Sequence, residues 1–421
     1  MQPDTSQKKY STIDQAFSSF WALGLMILIA ASWRLWFPIT ESAYPMIPLL
    51  PIPNTILGGL NVLGIIASTV LIVALFQCVI SRRNSTWWMI VSISLLICFL
   101  SDQHRLQPWA YQSFLYSMLF GTLQSDKWKK WMLPIIVSIY AYSAAGKYDA
   151  QFFHTVGNEM IGFMGRVSPF ELPILSSEYR HIFVAIFPTS EILIALLLIF
   201  KRSRAPASIA AICMHLSLIA ILGPWGKNHS FGVLLWNAML IGQHLYLITC
   251  SRLKQRAGQA DSNPSSVSGY NSKRIPVLFC TWTIVLVAPC LERTGFWDHW
   301  TSWSLYSPHT SRARIEFHQS VVNSLGKLQR QALISDDDQD QWYEIDLGTW
   351  SLAERSVPVY PQARYQLDLA HHLAQDLKLE NEIRVKLQGV SNRKTGERIE
   401  ERLLNLKEIK NARKQFWLHP R

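Results

Sequence analysis

The chain has 421 residues and a formal net charge of +11, with 16% charged and 49% hydrophobic positions. Soluble domains run near a quarter charged, and here the thinning is confined to roughly the first three hundred residues. The basic balance does not point to nucleic acid, because Lys and Arg fall in short clusters between apolar runs, the distribution of a membrane protein.

A membrane span needs about twenty predominantly apolar residues. Runs of that character occupy residues 17–37, 58–80, 87–100, 108–123, 131–150, 181–200, 206–222, 230–249 and 276–291. The third and fourth are short enough to tilt, flex or lie partly in the interface. The first run follows Lys8 and Lys9 and could imitate a cleaved signal peptide near Ala30–Ser32, but Arg34 and Trp36 extend it, so it reads as a retained helix. Trp87, Trp88, Trp109, Trp128, Trp131 and Trp225 crowd the ends, as interfacial aromatics do.

The fold class predicted is an all-α polytopic membrane bundle of about nine transmembrane helices, residues 1–300, followed by a small α+β soluble domain, residues 301–421. Basic residues follow the even-numbered spans: Arg82 and Arg83, then Lys127, Lys129 and Lys130, then Lys201, Arg202 and Arg204, and lastly Arg252, Lys254, Arg256, Lys273 and Arg274. The intervening loops are poor in them. By the positive-inside rule this gives a multi-pass protein of an inner or plasma membrane, N-terminus cytoplasmic and C-terminal domain extracytoplasmic. Residues 257–272, rich in Gly, Ser, Asn and Gln, read as a mobile inner loop.

In the C-terminal domain, residues 312–317 and 342–347 read as strands. After Pro361, Leu369, Ala370, Leu373, Ala374 and Leu377 recur at helical spacing. Ile383, Val385 and Leu387 alternate with polar residues as a half-buried strand, and residues 392–396 form a turn into another. The acidic run 336–340 lacks the glycine and terminal glutamate of a calcium loop and reads as a solvated turn. Cys78, Cys98, Cys213, Cys250, Cys280 and Cys290 lie in or beside apolar runs with no C-x-x-C spacing, so neither a disulfide scaffold nor a zinc site is expected of them.

Ionisable residues at membrane depth carry the functional information, because burying them is costly. Residues 139–170 hold Lys147 and Asp149 at the outer end of the fifth span, then His154, Glu159 and Arg166. Lys147 follows Ala144, Ala145 and Gly146, small residues that let neighbouring helices approach. Desolvated there, it could act as a neutral base; alternatively it snorkels to the interface or pairs with Asp149. A second cluster holds Asp102, Gln103, His104 and Arg105 before Pro108 and Trp109, and could simply cap the fourth helix. A third holds His215 in the seventh span and the segment 223–229, including Asn228, which could be a tight turn. All three lie on the outer side, where polar groups from separate spans can converge on a pocket for an amphiphilic substrate. Arg34 in the first span calls for a carboxylate partner.

The segment Ala145, Gly146, Lys147, Tyr148, Asp149, Ala150, Gln151, Phe152, continuing through Glu159 to Ser168, Pro169 and Phe170, resembles the vitamin K-dependent gamma-carboxylases and their bacterial relatives in the HTTM domain family. The likeness extends over roughly residues 15–300, with weaker correspondence at 102–109 and around His215. It implies a reduced vitamin K-type quinone as cofactor, deprotonated by Lys147. Oxygen then turns the hydroquinone into a base strong enough to take a glutamate γ-proton, and carbon dioxide traps the carbanion of a protein or peptide substrate. The pocket residues implied are Asp102, Arg105, Trp109, Asp149, His154, Glu159, His215 and Asn228, with no metal. One lysine stands where the carboxylases often have two, and the C-terminal domain is far shorter than theirs, so the quinone half-reaction is the better supported part. The competing expectation is a non-enzymatic HTTM-type membrane protein whose outer domain binds a partner; transport is disfavoured by the lack of paired broken helices.

Overall fold

The computed structural model describes residues 5–38, 44–52, 54–81, 85–123, 125–167, 177–257, 275–335 and 340–416. All but the first residue of the inner loop expected over 257–272, the end of the carboxylase-like segment at Ser168–Phe170 and most of the acidic run fall outside the described residues. A helix forms at each apolar run. They are α1 (Thr5–Ala31, continued by the single turn α2, Trp33–Trp36), α3 (Asn54–Ile80), α4 (Ser85–Ser101), α5 (Pro108–Thr122) and α6 (Ser125–Lys147). After two short helices, α7 (Ala150–His154) and α8 (Val156–Val167), come α9 (Ser177–Ile199), α10 (Arg204–Leu222), α11 (Phe231–Ala257) and α12 (Ile275–Val287).

Five of these are long and apolar enough to cross a membrane, over Thr12–Ala31, Gly58–Ile80, Tyr179–Ile199, Arg204–Leu222 and Phe231–Leu253, and Ser85–Ser101 is apolar but shorter. Their outward faces carry large apolar side chains, such as Val62, Ile66, Val73 and Phe76 on α3 and Ile182, Ile186, Leu193 and Leu196 on α9. Faces of that extent are stable in hydrocarbon, not in water. The fifteen-residue α5 is buried nearly all round, so it is a central strut of the bundle. Its polar side chains join neighbours: Gln112 bridges Trp236 and Gln243 of α11, and Ser113 takes the indole N–H of Trp21. At the end remote from the C-terminal domain, Asp14 accepts from Lys129 at 2.7 Å and from Tyr246 at 2.8 Å, tying α1, α6 and α11 together.

The C-terminal domain is an antiparallel sheet of order β2-β3-β1-β4-β5, formed by β1 (Arg312–His318), β2 (Leu333–Ser335), β3 (Trp342–Ile345), β4 (Ile383–Gln388) and β5 (Glu400–Leu403). Alternation sends Ile315, Phe317, Ile383 and Val385 to one face. There they pack under α15 (Ala363–Asp376), which follows the short helices α13 (Lys327–Gln331) and α14 (Leu347–Arg355), and under α16 (Leu406–Arg413). On the other face, Glu316 pairs with Arg384 and Lys386 across the β1–β4 ladder. The strands at 312–317 and 383–388 and the helix after Pro361 therefore form as the period-2 and period-3.6 patterns require; the strand expected over 342–347 stops at Ile345, because Asp346 caps α14 from Leu347, and β2, α13 and α14 carry no such pattern.

The domain is seated on the bundle. Arg393 donates to the carbonyls of Ala145 (2.6 Å) and Tyr148 (2.8 Å), and the amide of Ala150 donates to the Arg393 carbonyl. A cation is thus placed on the orphan carbonyls at the C-terminus of α6, where the helix dipole favours it. Arg355 of α14 donates to the Tyr44 carbonyl at 2.8 Å. Arg34, expected to meet a carboxylate, instead donates to the carbonyl of Ala353 on α14 at 2.8 Å.

Candidate functional site

A cavity of about 440 Å³ lies where the bundle meets the C-terminal domain. Its apolar walls come from Leu28 and Ala31 of α1, Ile139 of α6, Met160 of α8, Phe187 of α9, Met214 and Leu218 of α10 and Leu240 of α11. Its domain-side wall is the segment from His299 to Arg312 and the turn Ser356–Val359. Two polar constellations reach into it.

The first is on α6, where Tyr140, Ser143 and Lys147 share one face by their i, i+3, i+7 spacing. Lys147 is buried, and its Nζ lies 2.8 Å from both carboxylate oxygens of Glu191 and 2.5 Å from Ser143 Oγ. Glu191 sits on α9 just after Pro188, which breaks the backbone ladder of that helix one turn earlier. The lysine is therefore not snorkelling, and its carboxylate partner is not Asp149. Asp149 instead caps α7 through the amide of Gln151 and takes Arg293 at 2.7 Å.

The second runs across three helices. Tyr140 Oη lies 2.7 Å from His215 Nε2 and 2.6 Å from His244 Nε2, and His215 Nδ1 lies 2.8 Å from Asn237 Oδ1. Asn237 commits its amide N–H to the Val233 carbonyl, so its oxygen faces the ring. His215 then donates from Nδ1 and accepts at Nε2, Tyr140 donates to it, and His244 donates to Tyr140. The hydrogen bonds form one directed chain, with His244 Nδ1 at its end, buried and without a partner among the described residues.

On the domain side, Trp303 and Tyr306 hold left-handed φ angles of 56° and 58°, a strained conformation for bulky residues. Burial raises the Tyr306 hydroxyl above its ordinary range. Burial, assisted by Lys227, lowers His229 to about 4, and burial followed by Arg314 lowers Arg312. Gly146 is needed for this wall: a Cβ there would stand 2.6 Å from Ser307 Oγ. The small residues before Lys147 thus admit a loop of the C-terminal domain as well as neighbouring helices. Behind His299 lie Glu292 and His309, with Glu292 Oε1 2.8 Å from His299 Nδ1 and 3.0 Å from His309 Nε2.

Of the residues singled out from sequence, Lys147, Trp109 and His215 line the cavity. Asp102 and Arg105 are buried elsewhere and do not. Asp102 caps the turn Gln103–Arg105 through the amide of His104, and Arg105 donates to Leu35 O, Trp36 O and Ser101 Oγ. His154 is exposed at the end of α7 beside His181, Glu159 pairs with Lys227 in the open, and Asn228 is exposed at φ 49° in the turn after α10. Sequence reading passed over Glu191 and His244, although each is an ionisable group inside an apolar run, the signal that should have found them. Tyr140, Ser143 and Asn237 carried no such signal. No family model, curated protein or solved structure matches the chain.

Proposed function

We propose that the chain is an integral membrane enzyme performing acid–base chemistry on an amphiphilic, lipid-delivered molecule, and that this molecule is the reduced vitamin K-type quinone implied by the carboxylase resemblance. The observation that carries the reading is the opening of two buried constellations of titratable side chains onto one largely apolar cavity. Its volume falls in the range of small-molecule sites, roughly 300–1,000 Å³.

The residues present fit such a group. A hydroxylated ring can hydrogen-bond to Ser143 and to the Lys147 amine, while Leu28, Met160, Phe187 and Met214 suit a prenyl chain. When bound, a reduced quinone supplies an acidic hydroxyl and, with oxygen, the oxidising chemistry that the resemblance implies. In the ground state Glu191 holds the Lys147 ammonium; moving that proton from Nζ to the carboxylate leaves a neutral amine facing the cavity. The amine takes the substrate proton, and the pair needs no net charge from outside. Tyr140 and the two histidines relay or return a proton along their chain. Trp109 and the domain-side loop exclude water.

The same reading takes the helices as about nine spans, the N-terminus as cytoplasmic and the C-terminal domain as extracytoplasmic, which charge distribution supports. Protein carboxylation is the further step, and a peptide would have to reach the cavity past the C-terminal domain. The experiment is turnover of a hydroquinone by the purified protein in lipid nanodiscs, followed by quinone absorbance. Wild type should oxidise it and Lys147→Ala should not; full turnover in a folded Lys147→Ala protein would overturn the assignment.

A further inference from the structure

Glu292, His299 and His309 are seven and seventeen residues apart, and they are brought together from a 3-10 turn (Ala288–Thr294), a loop and the approach to β1. All three are buried, and one ligating atom from each lies within 4.8 Å of the others. Glu292 Oε1 is 2.8 Å from His299 Nδ1, and His309 Nε2 is 3.0 Å from Oε1 and 2.9 Å from Oε2. These separations fall about half an ångström short of the edges of a tetrahedron whose centre stands about 2.1 Å from each ligand, so small side-chain shifts would admit an ion.

The charge arrangement points the same way. A buried carboxylate requires a compensating charge. Among the described residues, the hydrogen-bond and ion-pair partners of Glu292 are the two imidazoles alone, with no lysine or arginine joining them. Two rings each aim a nitrogen at this carboxylate, and neutral imidazole nitrogen is the commonest metal ligand. His309 Nε2 donates to the Glu292 carboxylate, and among the described residues its buried Nδ1 has no partner. The His299 ring also forms part of the cavity wall.

We propose that Glu292, His299 and His309 form a binding site for a divalent first-row transition-metal ion. A set of two imidazoles and one carboxylate suits zinc or ferrous iron and leaves coordination positions for water or a ligand from the cavity. Binding displaces whatever protons the two coordinating nitrogens carry and neutralises the carboxylate, so an ion joins the bundle's last turn to the first strand of the C-terminal domain.

The test uses tag-free protein in detergent, stripped with a chelator and titrated with Co²⁺. Wild type should take up about one ion per chain with visible ligand-field bands, and Zn²⁺ should displace it. Glu292→Gln and His309→Ala should each abolish uptake, and Lys147→Ala should leave it intact. X-ray absorption on the loaded wild type should show two imidazoles around cobalt, which decides the matter should either variant fail to fold. No uptake by wild type, equal uptake by the variants, or cobalt without imidazole ligands would overturn the proposal. Because the readout is occupancy, failure here is distinct from failure of the quinone reading.

Discussion

Two buried polar clusters stand at the junction of the bundle and the C-terminal domain, and they differ in what adjoins them. The groups around the turn Gln103–Arg105 lie away from the cavity: Arg105 serves two carbonyls and a hydroxyl, His104 Nε2 meets the Pro358 carbonyl at 2.9 Å, and Arg355 Nη1 stands 3.7 Å from Asp102. A Cβ at Gly64 would meet Arg105 Nη1 at 2.7 Å, so even the neighbouring helix is cut back to make room. Lys147 and Glu191 are almost as deeply buried, yet they face a void large enough for a ring. Burial of charge alone therefore does not mark a site: both clusters are buried, and only the second faces space that a ligand could fill.

Substitutions should separate the two. The largest effect is expected at the cavity. Lys147→Met should lower hydroquinone turnover by at least the roughly 10²–10⁴-fold carried by a general base. It should also destabilise the protein by about 3–5 kcal/mol, because it strands a buried carboxylate. Adding Glu191→Leu should restore stability and not turnover, as read by thermal unfolding and absorbance; a double variant no more stable than the single one would show that the pair is not an isolated buried ion pair.

Arg105→Ala should behave oppositely, losing on the order of 3 kcal/mol by leaving buried carbonyls unpaired while turnover per folded molecule stays unchanged. A fall in turnover without a fall in stability would break the contrast. Tyr140→Phe removes the hydroxyl between His215 and His244; about 1–3 kcal/mol of stability should go, together with part of the turnover, and the pH–rate profile should change shape.

A smaller effect is expected from acid. Burial, outweighing Asp102 and the Pro358 carbonyl, lowers His104 from its ordinary 6.5 to about 4. The unfolded chain then takes up the proton first, so this contribution to stability is whole above pH 6.5 and is lost as pH falls toward 4, up to roughly 3 kcal/mol. Thermal unfolding across that window should be flatter in His104→Asn. The smallest change is expected at the exposed Lys227–Glu159 pair, where Lys227→Ala should alter stability by less than about 1 kcal/mol.

Much of the fold was legible because its signals are local. Apolar runs marked the helices, five of them of membrane length, and Ile383, Val385 and Leu387 marked a strand through their alternation. The site was legible only in part. Lys147, Trp109 and His215 announced themselves by residue type, but Asp102 and Arg105 did so equally, and nothing local distinguishes a charge that caps a turn from one that lines a cavity. Asp149 was a plausible partner for Lys147 by adjacency, whereas the carboxylate that reaches it is 44 residues away on another helix.

By itself, then, the sequence determined which stretches form apolar helices and which form strands, since hydrophobic length and periodicity are properties of consecutive residues. The tertiary structure alone decided which buried ionisable groups meet one another, how the loop after α12 closes the cavity, and that Glu292, His299 and His309 share one point. Those outcomes depend on helix packing and domain seating, which bring together side chains that no spacing in the chain relates.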